Sequence, residues 1–244
     1  MKKELIRLNK FLAHSGLGGR RDCDVFIRQG LISVNGEIVD EPGIKVNISD
    51  LIKFKDQIVS LEKKVYILLN KPKNFDFEKN ERGLSILDLI KSFPEKLNLG
   101  YSPEVRSIDA LETNELGLIL LTNDFEFIDT YQLNEKTLIS TYNIELNKEL
   151  EEKDQDLIEK GIKTTFGNFK VQEIEILDEE NLNIGLATKH MKPADISILF
   201  NVLGYEIEKL DRTLISHLSK RDLPRGKWRF LTPNEVIKLK HLKY

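Results

Sequence analysis

The chain is poor in the residues that staple a fold or bind metal. Its 244 residues include one cysteine, Cys23, with one tryptophan and two methionines. A single thiol closes no intrachain disulfide and excludes zinc fingers or any other cysteine-built metal centre. His14, His190, His217 and His241 are scattered without ligand spacing, so no histidine-built metal site is expected. No apolar run approaches the ~18 residues of a membrane span. The opening MKKELIRLNK lacks the apolar centre of a signal peptide. Internal repeats and low-complexity tracts are missing too. These absences predict a cytoplasmic chain with no membrane partner.

What is present is ordinary globular material. Hydrophobic residues make up 40% and charged residues 32%, over a length that suits one small and one larger domain. Net charge is −3, but it is unevenly spread. Residues 1–30 carry +4 and residues 209–244 carry +7, which leaves −14 for the middle. Basic ends around an acidic middle suit ends that meet a polyanion. Sporadic surface lysine accounts for the same numbers, and charge alone does not choose.

The first sixty residues read as a unit. RLNKFLAHSG places Leu8, Phe11 and Leu12 at helical spacing and stops at Ser15-Gly16. Gly18-Gly19 opens a second helix, RRDCDVFIRQ, whose Cys23, Phe26 and Ile27 share one face, and Gly30 ends it. LISVNGEIV then sets two β-prone runs around Asn35-Gly36, a strong hairpin signal because a type I′ turn needs two residues tolerant of positive φ. The stretch resembles the S4-like RNA-binding module, with its pattern R-L-x-x-x-L-x-x-x-G, then R-R, then G-x-V-x-V-N-G. Arg7, Leu8, Leu12, Gly16, Arg20, Arg21, Gly30, Val34, Asn35 and Gly36 all fall in place. The resemblance implies that Arg7, Lys10, Arg20, Arg21, Arg28 and Asn35 meet RNA. Arginines at a helix start suit phosphate, since amide donors and the helix dipole also favour anions there.

Beyond residue 50 the elements mix. LIKFKDQIVSLEKK (51–64) reads as a strand pair or a linker. Domains are expected at 1–60 and 61–244, with the boundary near residue 62. Strands are predicted at 65–73, 116–124 and 137–146, in FKVQEIEIL and NLNIGLA, and in YEIEKLDRTLIS and KWRFLT. Helices are predicted at 85–93, in FEFIDTYQLN, at 149–162 ending at Gly161, at 192–204 and in PNEVIKLKHL. There is no regular βαβ spacing, so the class is α+β with a mostly antiparallel mixed sheet.

Four stretches in this region resemble the bacterial ribosomal RNA pseudouridine synthases that carry the S4-like module. ILLNKPK (67–73) matches L-L-x-N-K-P-x-G. GLILLTND (117–124) matches G-L-L-L-L-T-x-D. LGYEIEKLDRTLIS (203–216) matches L-G-x-x-V-x-x-L-x-R-x-x-I, and DLPRGKWRFLT (222–232) matches D-L-P-x-G-x-W-R-x-L. The resemblance implies a cofactor-free isomerase that detaches a uridine base, turns it and rejoins it through carbon. It also implies ribosomal RNA or a pre-ribosomal particle as partner; a monomer is expected. In that family an aspartate of a G-R-L-D-x-x-T-x-G loop does the chemistry, a tyrosine packs by the base, and a basic residue pairs with the aspartate.

Here the loop reads SIDALETNELG, with Asp109, Glu112 and Glu115 as carboxylates and only Arg106 near in sequence. Read back from Gly117 without a gap, Glu112 takes the place of the aspartate and Ala110 that of the arginine. A register with three extra residues puts Asp109 there instead. Tyr142 keeps the tyrosine, but Ser140 replaces a lysine, and Ala194, Ser197 and Ile198 replace arginines of a later helix. The cations that would hold a working carboxylate are thus expected to be largely missing. Candidate catalytic residues are Glu112, Asp109 and Tyr142, and a solvated acidic loop is the other reading. The resulting expectation is an RNA-binding family member with weak or absent isomerase chemistry. The alternatives are an active synthase using Glu112 or Asp109, and an acidic adaptor whose middle binds a basic protein.

Overall fold

The computed structural model describes residues 5–61, 63–96, 104–133, 138–189 and 191–241. Lys2, Lys3, Glu62, His190 and Lys243 lie outside the described residues. The chain divides into two compact units, the first running to Lys64 and the second beginning at Val65.

The first unit contains β1 (Leu5–Arg7), α1 (Leu8–His14), α2 (Arg20–Arg28), β2 (Ile32–Val34), β3 (Glu37–Val39), β4 (Lys45–Asn47), β5 (Ile52–Phe54) and β6 (Gln57–Val59). Strands β3, β2, β5 and β6 form one antiparallel sheet, and β1 pairs with β4. Asn35-Gly36 is the predicted turn, with φ of 52° and 94°. Residues 51–64 supply a strand pair, β5 and β6, turned through Lys55-Asp56. Leu8, Phe11 and Leu12 of α1, Cys23 and Ile27 of α2, and Ile32 and Ile52 of the sheet bury one core.

The second unit follows the order β7 (Tyr66–Lys71), α3 (Ile86–Ile90), α4 (Phe93–Lys96), β8 (Arg106–Ser107), β9 (Leu116–Thr122), α5 (Phe125–Leu133), β10 (Ser140–Leu146) and α6 (Glu152–Lys160). Then come β11 (Ile162–Thr164), β12 (Gly167–Phe169), β13 (Glu173–Ile176), β14 (Asn183–Thr188), α7 (Pro193–Val202), β15 (Ile207–Ile215), β16 (Leu218–Ser219), β17 (Trp228–Phe230) and α8 (Pro233–Lys240). The main sheet runs β13-β14-β10-β15-β9-β7-β17, with β16 on β15 and β8 on β9. Among the described strands every pairing is antiparallel except β15 with β9. Strands β7 and β9 are buried on both faces. Leu68, Leu118 and Leu120 pack into one core, and Ile67, Leu69, Ile119 and Leu121 into another. This two-sided burial is why both strands read as continuous apolar runs rather than alternating ones. A third core lies between the β13-β14-β10-β15 flank and helices α6 and α7.

Candidate functional site

The acidic loop joins β8 to β9, and buried cations hold it from both sides. Lys71, at the end of β7, is 1% exposed. Its ammonium donates to the carbonyls of Glu112 and Glu115, each at 2.7 Å, and to that of Thr113 at 3.3 Å. Burial pushes the Lys71 pKa down to about 8, against the pull of Asp76 and Glu115. Within the loop, the Glu112 amide donates to Glu115 Oε2 at 2.7 Å. Glu115 is itself buried, and that burial pushes its carboxyl pKa up. Asn74 N–H donates to the Thr113 carbonyl at 2.7 Å, and Thr113 Oγ1 to Asp76 at 2.5 Å. The Glu112 side chain is exposed. The fold uses its backbone.

Asp109 has a different environment. Arg212, fully buried on β15, donates Nη1 to Asp109 Oδ2 at 2.6 Å and Nη2 to the Asp109 carbonyl at 2.8 Å. Its Nε reaches the Leu118 carbonyl at 2.7 Å. The expectation that the loop lacks a cation is therefore corrected for Asp109. The partner lies 103 residues away, where local sequence reading cannot see it. Arg106, the neighbour in sequence, instead sets its guanidinium 4.8 Å above the Phe125 ring. Gly117 sits opposite Arg212 in the parallel β9–β15 pairing. A Cβ on Gly117 would stand 2.2 Å from the Arg212 carbonyl oxygen, so only glycine lets the strands close here.

Tyr142 lies beside Arg212, its ring centre 6.0 Å from the guanidinium carbon. The ring is fully buried in the third core, and its hydroxyl finds no hydrogen-bond partner among the described residues. Asp109 and Tyr142 thus meet through Arg212, while Glu112 stands apart on the exposed side of the loop. A cleft of about 1050 Å³ opens over the loop. Asp109, Ala110, Glu112 and Glu115 line one side, and Ser140, Lys189, Lys192 and Ala194 also line it. Among the described residues that line the cleft, Lys189 and Lys192 are the cations. Ile198 and Ile196 of α7 pack into or against the third core.

Of the anchors that the acidic loop needs, Glu115 was read as one of its three carboxylates, while Lys71 and Arg212 were not singled out by their chemistry. The available signal was position: Lys71 lies in the matched N-K-P stretch and Arg212 in the matched L-x-R-x-x-I stretch. A second network ties these stretches together. Asp211 takes Arg225 at 2.5 Å and Lys220 at 2.8 Å. Asn70 accepts from Arg225 at 2.7 Å and donates to the Leu223 carbonyl at 2.7 Å.

In the first unit, Arg7 precedes α1, Lys10 lies within it, and Arg20 and Arg21 open α2 on its exposed side. Arg28 is exposed in the last turn of α2. Asn35 spends its side chain on the turn: Oδ1 accepts from Leu51 N–H at 3.0 Å and Nδ2 donates to Asp50 at 3.2 Å.

A helix-helix-sheet module followed by a mixed-sheet domain, with an acidic loop between β8 and β9, defines a modular α+β protein. An S4 domain model matches residues 6–52. The ribosomal large subunit pseudouridine synthase B of Bacillus subtilis is 30% identical, over 97% of this chain and 96% of that one. The dual-specificity RNA pseudouridine synthase RluF of Escherichia coli K12 is 28% identical, over 96% of this chain and 78% of that one. A crystal structure of a pseudouridylate synthase aligns with a TM-score of 0.63 at 26% identity, covering 96% of this chain and 99% of that one. The chain belongs to the RNA pseudouridine synthase family. No described helix is long and apolar enough to cross a membrane.

Proposed function

We propose that this protein binds ribosomal RNA, alone or in a pre-ribosomal particle, with weak or absent isomerase chemistry. The observation that carries the reading is the commitment of the loop carboxylates. Asp109 is fastened through both its carboxylate and its carbonyl to one arginine. Glu115 is buried in capping the loop, and Glu112 is exposed. A nucleophilic or basic carboxylate must be charged, aimed and free to approach its target. Moving Asp109 toward a substrate would undo an anchor of its own loop. Ala194 and Ser140 in the cleft wall leave fewer cations to place a flipped uridine. The RNA contact itself is assigned to the exposed Arg7, Arg20, Arg21 and Arg28 and the half-buried Lys10, whose helix-start and helix-end positions suit phosphate.

The same ion pair favours a second reading. Arg212 sets a cation on Asp109 beside Tyr142, as an active synthase requires, and 28% of the Asp109 side chain remains exposed at the cleft. The deciding experiment maps pseudouridine chemically in ribosomal RNA from cells with and without the gene. The proposal expects identical maps. One uridine whose modification disappears on deletion, and returns with the wild type but not with Asp109→Asn, would overturn it. Rescue lost with Glu112→Gln instead would identify the other carboxylate.

A further inference from the structure

Residues 160–170, KGIKTTFGNFK, carry Lys160, Lys163 and Lys170 and no carboxylate, inside a middle region of net charge −14. They form the hairpin β11–β12, and its two phenylalanines have opposite fates. Phe169 is 5% exposed and anchors the hairpin in the third core with Ile162 beside it. Phe166, in the turn, is 71% exposed. It is the only exposed aromatic among the described residues. The turn that displays it is braced: Phe166 N–H donates to Thr164 Oγ1 at 3.0 Å, and that hydroxyl donates to the Gly167 carbonyl at 3.2 Å. Lys163 pairs with Asn168 across the hairpin, both exposed, on the face opposite Ile162 and Phe169. Lys160 pairs with Asp156, in an exposed pair at 3.1 Å of the kind a phosphate readily replaces.

A single exposed apolar residue is ordinary. An aromatic ring fixed on a rigid tip, inside an isolated cluster of lysines, has the chemistry of a single-stranded nucleic-acid contact. Bases of any sequence stack on the ring, and the cations track the backbone. The residues around Phe166 argue against a protein partner, because Thr165, Gly167 and Asn168 are exposed and offer no apolar patch.

We propose that the β11–β12 hairpin is an RNA contact in which Phe166 stacks on an unpaired base while Lys163 and Lys170 meet neighbouring phosphates. This rests on the reading of the chain as an RNA-binding protein and adds a site in the second unit. The test measures affinity of the full chain for a single-stranded oligouridylate and for an RNA duplex of equal length, across a salt series. Phe166→Ala should weaken single-strand binding by roughly five- to a hundredfold, leaving the salt slope and duplex binding unchanged, and Phe166→Trp should restore it. Lys163→Ala with Lys170→Ala should lower the log-log salt slope by about one to two. Wild-type binding that Phe166→Ala leaves intact overturns the hairpin site and leaves the RNA-binding reading standing. A wild type that binds neither RNA overturns both. A drop in molecular mass on Phe166→Ala, with RNA binding unchanged, would make the ring a contact between copies and overturn the RNA assignment.

Discussion

A buried arginine is costly unless its donors are used, and Arg212 spends its donors on Asp109 and Leu118. Arg212→Met should therefore cost about 3–5 kcal/mol, the price of stranding a buried partner. Glu112→Ala should stay within about 0.5 kcal/mol, as for an exposed side chain. Urea unfolding of both variants checks the order, and equal losses would contradict the description of the loop. Lys71 makes a pH prediction. Burial lowers its folded pKa to about 8 from 10.5. Between those values the unfolded chain binds more protons, so stability rises with pH. The cost of the buried ammonium is full below the folded value and is relieved as pH climbs through the window. Wild-type urea midpoints, compared with those of Lys71→Met, should gain between about pH 8 and 10. A constant difference would show that the ammonium titrates elsewhere.

Strand β9 links residue chemistry to topology. It is buried on both faces, and its first contact with β15 is the parallel step at Leu116 and Gly117. Gly117 has φ of 108°, a conformation an L side chain rarely adopts, in addition to the close approach of Arg212. Gly117→Ala should destabilise the second unit by more than ~2 kcal/mol, since strain and overpacking act at one point. It should also disturb the Asp109–Arg212 pair, visible as a shifted arginine Nε–H resonance. Little change in either would mean that β15 moves aside cheaply. The strands with strong apolar runs, β7 and β9, and the Asn35-Gly36 turn were legible because their signals are local. Strands β1, β4, β8 and β16 and the β11–β12 hairpin were not, being two or three residues long with no apolar alternation. The parallel step at Gly117 was equally hidden, since it joins strands far apart in sequence.

Across the molecule, the same limit applies to charge. The +7 of residues 209–244 suggested a polyanion surface, yet the fold ties at least five of those ten cations to its own carboxylates. Arg212 serves Asp109, Lys220 and Arg225 serve Asp211, Arg229 serves Glu235, and Lys240 serves Asp124. A count of lysines and arginines cannot tell a paired charge from a solvent-facing one, because the fold sets the pairing: Asp109 and Asp124 lie elsewhere in the chain, while Asp211 and Glu235 lie in the same segment. The N-terminal arginines were more legible, since their helix-start positions follow from local glycines. We therefore expect the two basic ends to behave differently. Arg20→Ala with Arg21→Ala should lower the log-log salt slope of RNA binding by about one to two with little loss of stability. Arg229→Ala with Lys240→Ala should lower the melting temperature, because each removes the cation from a buried or half-buried carboxylate, and should leave the slope nearly unchanged. Salt-series affinity measurements and thermal unfolding on the same samples separate the two. A C-terminal pair of substitutions that flattened the slope more than the N-terminal pair would assign the RNA surface to the wrong end of the chain.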